Sequence, residues 1–215
     1  MNNKKKQDIC IALGLLGAFA LWTAMVCLID VQPIGPHGSQ VGFATVNYRF
    51  HKLTGVHLFL YTLTDWLSLI PVVFAAGFAL LGLRQWIQKK QLLKVDHNIL
   101  ALGGFYLLVA VAFVLFEVFP VNYRPILIEG QLEASYPSST TLLVLSVMPT
   151  AAMQLQSRIK TERLKRRTVT AITCFTAFMV IGRLLSGVHW FSDIIGGILL
   201  SAGLVMLHRT ACDQP

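Results

Sequence analysis

Charged residues are scarce in this chain of 215 residues. Only 13% of them are charged, whereas a soluble globular domain carries about 25%. Acidic residues are rarer than basic ones, with 10 Asp and Glu against 18 Lys and Arg. The basic residues lie between long apolar stretches, as in the loops of membrane proteins. This composition excludes an ordinary cytosolic enzyme, a disordered protein and a nucleic-acid-binding protein.

Cysteine is also sparse, with four widely spaced residues and no Cys-x-x-Cys pair. The spacing gives no indication of a disulfide framework or a zinc site. Three of the four lie in apolar segments, which predicts that they are small buried hydrophobic residues. The four are Cys10, Cys27, Cys174 and Cys212.

Hydrophobic residues make up 55% of the chain and are grouped in long segments. A helix needs about 20 mainly apolar residues to cross a bilayer, and this predicts an all-α, polytopic membrane protein with six transmembrane helices. The fourth segment is short and contains Pro149, and the first, after Lys4–Lys6, is interpreted as an uncleaved anchor. One membrane domain, residues 1–215, accounts for the whole chain. The predicted spans are Ile9–Ile29, His57–Leu83, Ile99–Pro120, Thr140–Leu155, Thr168–Ser186 and His189–Leu207.

The basic residues indicate how these spans are oriented. Most of them lie in the N-terminal segment, the second and fourth connections and the C-terminal tail, and few lie on the opposite side. Because Lys and Arg concentrate in cytoplasmic loops, both termini are predicted to be cytoplasmic. The few basic residues on the outer side are Arg49, Lys52, Arg124 and Arg183.

The fifth connection, on the outer side, combines Arg183, Gly187, His189 and Asp193. His189 and Asp193 are four residues apart, so on a helix they would share one face. The carboxylate could then orient the imidazole and leave its other nitrogen free to attack. Gly187 permits a tight turn that folds Arg183 back toward His189. A guanidinium beside an oriented imidazole suits phosphate chemistry.

The third connection adds Arg124 and the run Pro137-Ser138-Ser139-Thr140 at the start of span four. Proline is favoured in a first helical turn, and free N–H groups there, with the hydroxyls of Ser138 and Ser139, would face an anion. Individually, the arginines could contact headgroups and Asp193 could cap a helix. Together the two connections predict a phosphate site on one membrane face.

These motifs resemble the type 2 phosphatidic acid phosphatase (PAP2) superfamily. Its pattern has three blocks: Lys-x6-Arg-Pro, Pro-Ser-Gly-His and Ser-Arg-x5-His-x3-Asp. Here they are Glu117-x6-Arg124-Pro125, Pro137-Ser138-Ser139-Thr140 and Gly182-Arg183-x5-His189-x3-Asp193. The third block matches closely, and the core motifs occupy residues 117–193. The resemblance implies a six-helix bundle in a bacterial cytoplasmic membrane with its site facing outside.

By this resemblance, His189 attacks phosphorus to form a phosphohistidine and Asp193 orients it. The phosphate would be held by Arg124 and Arg183, with Ser138, Ser139 and Thr140. The resemblance implies no metal and no cofactor. The expected partners are a lipid phosphate substrate and membrane lipids, with no nucleic acid.

Three positions depart from the pattern. Glu117 replaces a lysine, Thr140 replaces the histidine that protonates the leaving group, and Gly182 replaces a serine. A threonine hydroxyl is no general acid near pH 7, and loss of acid catalysis costs about 10²–10⁴-fold. A lipid diphosphate, with its better leaving group, is therefore favoured over phosphatidate. Glu117 is a candidate accessory acid, or a partner of Arg124, and the intramembrane Asp65 is a functional-site candidate.

The sequence thus predicts an integral-membrane lipid phosphatase that hydrolyses a lipid phosphate or diphosphate. Two alternatives stay open. One is a catalytically impaired relative that binds or transports a phospholipid headgroup, and the other is a phosphotransferase that passes the phosphoryl group from His189 to an acceptor other than water.

Overall fold

The computed structural model describes residues 3–212 and contains, within that range, eight α-helices and no β-strand. The predicted all-α fold is therefore confirmed. The helices are α1 (Asn3–Leu28), α2 (Ala44–Thr54), α3 (Leu58–Leu67), α4 (Leu69–Lys89), α5 (His97–Val118), α6 (Ser139–Arg158), α7 (Glu162–Leu185) and α8 (Phe191–Cys212).

Five helical segments of the described chain are long and apolar enough to cross a membrane. Helices α3 and α4 count as one of them, because they run from Leu58 to Lys89 with a junction at Ser68. The fourth predicted span, Thr140–Leu155, corresponds to α6. With α6 included, the helices agree broadly with the six predicted spans. The five segments are Asn3–Leu28, Leu58–Lys89, His97–Val118, Glu162–Leu185 and Phe191–Cys212.

Helix α6, like α8, lies inside the bundle and buries about half of its residues. It packs against α4, α5, α7 and α8, and it buries polar side chains such as Ser146, Thr150 and Gln154 along with its apolar ones. Hydroxyls of this kind are accommodated by the helix itself, since Thr150 donates to the carbonyl of Ser146 at 2.8 Å. Its polar content follows from contact with other helices rather than with lipid.

Helix α1 packs along α8 and fixes the end of the bundle where α8 begins. Trp22 Nε1 donates to the carbonyl of Ser192 at 3.1 Å. One residue further along, Thr23 and Tyr136 share a hydrogen bond of 2.7 Å between their hydroxyls. These contacts connect α1 to the first turn of α8 and to the segment that precedes α6.

The prediction that the three cysteines in apolar segments are buried is wrong for all three. Cys10, Cys27 and Cys174 are exposed on the surface of the bundle, and Cys212 is partly exposed. Large apolar side chains such as Leu21 and Phe59 are exposed in the same way. In a membrane helix an apolar position does not imply burial, because the surrounding hydrocarbon is itself apolar.

Candidate active site

His189 lies in the short turn between α7 and α8, two residues before α8 begins, and is 3% exposed. The expectation that His189 and Asp193 share a helix face is therefore wrong in detail, because His189 precedes the helix. The chain still brings the two together. Asp193 Oδ2 accepts the N–H of Trp190 at 2.9 Å, and His189 Nδ1 lies 3.8 Å from the same oxygen.

A small polar network holds the Asp193 carboxylate in place. Asn122 Nδ2 donates to Asp193 Oδ1 at 3.1 Å, and the Ser192 hydroxyl lies 3.4 Å from that oxygen. From α2, Asn47 Nδ2 donates to Ser192 Oγ at 2.9 Å, and Asn47 Oδ1 accepts the N–H of Ser192 at 3.1 Å. Helix α2 thus positions the first turn of α8, although its residues lie in a segment that the sequence predicts to be a connection.

The environment of His189 keeps its imidazole neutral. Burial lowers the pKa of His189 well below 6.5, and the positive charges of Arg124 and Arg183 lower it further. The backbone of Ser135 lies near the ring and acts in the opposite direction on the pKa, but neither ring nitrogen has a well-aligned hydrogen bond among residues 3–212. A neutral ring without a partner, close to a carboxylate, is the form that can act as a nucleophile.

The two predicted phosphate-binding arginines converge on one aromatic ring. The guanidinium carbons of Arg183 and Arg124 lie 5.0 and 5.9 Å from the centroid of Tyr61 on α3. Arg183 is 1% exposed and Arg124 is 8% exposed. Burying two like charges together is unfavourable unless an anion compensates for them.

Each arginine has a carboxylate beside it. Arg124 Nε lies 2.9 Å from Glu133 Oε2, and Arg183 Nη1 lies 3.7 Å from Asp65 Oδ1. Arg183 Nη1 also lies at the 3.5 Å limit for a hydrogen bond to Thr64 Oγ1. Arg124 Nη1 and Arg183 Nε are buried without a hydrogen-bond partner in the described part of the chain. These donors are available to an acceptor such as a phosphate oxygen.

The run Pro137–Thr140 opens α6, as predicted, but with a different placement of its residues. Ser138 is the N-cap, and its hydroxyl accepts the N–H of Thr141 at 3.5 Å. Pro137 therefore precedes the cap, and its expected position in the first helical turn is wrong. The N–H of Ser138 donates to the carbonyl of Asp193 at 3.0 Å, so it is not free for an anion. The N–H groups of Ser139 and Thr140 have no acceptor within their own helix.

Glu117 lies at the end of α5 and lines a cavity of about 230 Å³ with Arg124, Glu133 and Ser139. Its side chain is exposed. The carboxylate that pairs with Arg124 is Glu133 and not Glu117. Glu117 therefore borders the site without forming the ion pair that the sequence suggested.

Gly187 lets the turn before His189 lie close to α2. Its φ is +71°, and a Cβ on it would come within 2.0 Å of the carbonyl oxygen of Gly55. A nearby contact closes the same turn, since His51 Nε2 lies 3.1 Å from the carbonyl oxygen of Gly187. The predicted tight turn is present, and it depends on glycine for both its φ and its space.

The packing of α3 explains why position 182 is a glycine rather than the serine of the family pattern. A Cβ on Gly182 would lie 2.7 Å from the Thr64 methyl group, so the threonine occupies the space into which a serine would project. We expect Gly182→Ser to lower the free energy of unfolding by about 1–3 kcal/mol through overcrowding. Thermal unfolding in detergent would measure this loss, and Thr64→Ala should recover part of it in the double variant. Equal stability of Gly182→Ser and the unaltered chain would contradict the prediction.

Several site residues carried no signal in the sequence. Tyr61 and Thr64 lie in the second apolar span, and only the packing of α3 against α7 brings them to Arg183. Asn122 could have been suspected, because it precedes Arg124 by two residues. Within residues 3–212, no group of three or more His, Cys, Asp or Glu side chains is placed to hold a metal ion.

Comparison with known proteins gives a sequence family and a similar fold. Residues 118–211 match the sequence model of the PAP2 superfamily. No curated protein sequence matches the chain. The fold is similar to the crystal structure of the first transmembrane PAP2-type phosphatidylglycerolphosphate phosphatase from Bacillus subtilis, with a TM-score of 0.61 and 17% sequence identity, over 92% of this chain and 94% of that one. Residues 118–211 are therefore similar to the PAP2 superfamily, and the fold of the chain is similar to that of a PAP2-type membrane phosphatase, which confirms the resemblance found in the motifs.

Proposed function

We propose that this protein is an integral-membrane lipid phosphatase that uses His189 as its nucleophile. The observation that carries the proposal is the convergence of two buried arginines beside a neutral, unpartnered histidine. Arg124 and Arg183 contact the same Tyr61 ring, and each keeps a buried nitrogen with no partner in the part of the chain described. A phosphate group would supply acceptors for these nitrogens.

The reaction follows from this arrangement in two steps. Nε2 of His189 attacks phosphorus while the bond to the lipid oxygen breaks, and Asp193 stabilises the charge that develops on the imidazole. Arg124 and Arg183 stabilise the equatorial oxygens in the transition state. Water then attacks the phosphohistidine, which releases inorganic phosphate and restores the ring. The free N–H groups of Ser139 and Thr140 at the start of α6 would donate to the phosphate oxygens in the same way.

The substrate is a lipid phosphate or diphosphate. The similar Bacillus protein is described as a phosphatidylglycerolphosphate phosphatase, which supports a phosphate monoester of a lipid. Thr140 in place of a histidine favours a substrate with a good leaving group, such as a polyprenyl diphosphate. The concentration of basic residues in alternate loops supports an orientation with both termini inside and the site end of the bundle outside, and the resemblance supports a bacterial cytoplasmic membrane.

Thr140 also supports a second candidate function. A protein without strong acid catalysis could bind or move a phospholipid headgroup, or pass the phosphoryl group from His189 to another acceptor. Binding alone would retain the need for Arg124 and Arg183 but would release no phosphate. A phosphotransferase would form the same phosphohistidine and release phosphate only slowly.

The deciding experiment is a substrate panel with the purified protein in detergent micelles. Phosphatidate, phosphatidylglycerophosphate and a polyprenyl diphosphate would be compared by the inorganic phosphate that each releases. We expect release from at least one lipid, and none from the His189→Ala protein. If no lipid is hydrolysed, or if both proteins release phosphate equally, the phosphatase function is wrong.

The buried neutral histidine also predicts a pH-dependent stability. The pKa of His189 is well below 6.5 in the folded protein and near 6.5 in the unfolded chain. Below pH 6.5 the unfolded chain therefore binds a proton that the folded one does not, and stability falls by up to about 1.4 kcal/mol per pH unit. His189→Asn removes this contribution. The melting temperature of this variant should therefore fall less than that of the unaltered protein between pH 6.5 and 5. Parallel pH curves for the two proteins would contradict the lowered pKa.

A further inference from the structure

A second cavity, of about 480 Å³, begins at Thr140 and extends between α4, α5 and α6. Most of its lining is apolar, including Val72, Val109 and Leu143, and this suits the hydrocarbon part of a lipid. Its polar residues, Asp65, Ser68, Ser139 and Thr140, include the two at the start of α6. A phosphate held by Arg183 would therefore point its lipid oxygen toward this cavity.

Asp65 is the one carboxyl group among the described residues that line this second cavity. Its side chain is 57% exposed, and Oδ1 lies 3.7 Å from Arg183 Nη1. Asp65 thus lies next to a phosphate-binding arginine and borders the same space as Thr140. The pattern of the family places a proton-donating histidine at the position of Thr140, and Asp65 borders the cavity into which that residue faces.

The other candidate donors are less well placed. Glu117 and Glu133 line the smaller cavity beside Arg124, to which Thr140 does not contribute. His57 is exposed, and its Nε2 lies 2.8 Å from the carbonyl oxygen of Thr54. Tyr106 also lines the second cavity, but its hydroxyl lies 3.2 Å from Thr150 Oγ1 and the two share a hydrogen bond.

We propose that Asp65 is the general acid of this enzyme and replaces the histidine that is absent at position 140. The proposal rests on the phosphatase function above. The step requires Asp65 in its protonated form, which exchanges its ion pair with Arg183 for the bound phosphate. In the first step the bond from His189 Nε2 to phosphorus forms, the bond from phosphorus to the lipid oxygen breaks, and the protonated Asp65 carboxyl gives its proton to that oxygen. In the second step the Asp65 carboxylate takes a proton from the attacking water, while the bond from phosphorus to nitrogen breaks.

A structural role of Asp65, that of holding Arg183, must be separated from this chemical one. The two roles differ in how the effect of an Asp65 substitution on kcat depends on the leaving group. A general acid speeds the departure of a poor leaving group and has little effect on a good one. Asp65→Asn should reduce kcat about 10²–10⁴-fold for a lipid monophosphate, which expels an alkoxide. For p-nitrophenyl phosphate, which expels a stabilised phenolate, the reduction should stay below about 10-fold.

Rescue provides the second readout. Thr140→His restores the donor found in the family pattern, and the side chain can extend into the second cavity. In the Asp65→Asn background it should recover at least about 10-fold of the lost kcat on the lipid monophosphate, as expected for a restored acid. In the unaltered protein it should add little, because a donor is already present. Asp65→Ser serves the same comparison if Asp65→Asn does not fold.

Glu129→Gln is the matched control, because Glu129 is exposed and lines neither of the two cavities described above. Its kcat should equal that of the unaltered protein on both substrates. Glu117→Gln tests the competing donor. The proposal is overturned if Asp65→Asn slows both substrates equally, if it slows neither, or if Glu117→Gln is the variant with the leaving-group effect. A failure of the phosphatase function is distinct, because the unaltered protein would then hydrolyse neither substrate.

Discussion

Replacement of His189 by alanine should reduce kcat for phosphate release by about 10⁴–10⁶-fold, as is found when the nucleophile of a covalent mechanism is removed. The expected loss is large because no other described imidazole lies beside both arginines. His189 is buried next to the Asp193 carboxylate and is close enough to Arg124 and Arg183 for their charges to lower its pKa. Phosphate release from a lipid substrate in micelles measures the effect.

The matched control is His57→Ala. His57 is an exposed histidine at the start of α3, and its ring contacts the carbonyl of Thr54 rather than the arginines. This variant should keep kcat within about threefold, which corresponds to less than 1 kcal/mol. A larger loss for His57→Ala than for His189→Ala would show that His189 is not the nucleophile.

A covalent intermediate gives an independent readout of the same prediction. Substrate labelled in the phosphate, mixed with the enzyme and quenched in alkali, should leave label on the unaltered protein and none on His189→Ala. The label should be transient, because water removes it in the second step. Full turnover without any labelled protein at millisecond quench times would favour direct attack by water instead.

The membrane fold could be predicted because its signal is local. Each span is a run of apolar residues, and such runs correspond to α1, α3 with α4, α5, α7 and α8. Helix α2 could not be found in this way, because its 11 residues combine apolar and polar side chains in a connection rich in glycine and proline. The cysteines were placed wrongly for a related reason, since hydrophobicity does not tell a lipid-facing position from a buried one.

The site was predictable only as far as it depends on short spacing. Arg183, His189 and Asp193 lie close together in the sequence, around the turn between α7 and α8, and Arg124 follows from its neighbouring proline. Tyr61 and Asp65 lie more than one hundred residues earlier, and their place beside Arg183 is set by the packing of α3 against α7. No spacing rule reports a contact of that kind, so the sequence alone did not place Asp65 beside Arg183.

Arg183→Lys is the second substitution with a large expected effect. It keeps the positive charge but removes the planar fork that can contact two phosphate oxygens at once. Because Arg183 is 1% exposed and lies beside Thr64 and Asp65, an ammonium group cannot reproduce its donors. We expect kcat/KM to fall about 10²–10³-fold, the size seen when one transition-state donor is lost.

Inhibition by inorganic phosphate distinguishes loss of anion binding from loss of folding. In Arg183→Lys the inhibition constant should rise at least about 10-fold, or about 1.4 kcal/mol, while the melting temperature without phosphate changes little. Arg49→Lys is the matched control, because Arg49 is exposed on α2 and belongs to no part of the site. It should leave kcat/KM and phosphate inhibition unchanged. If Arg183→Lys behaves like this control, the arginine does not bind the phosphoryl group, and its burial beside Tyr61 serves packing alone.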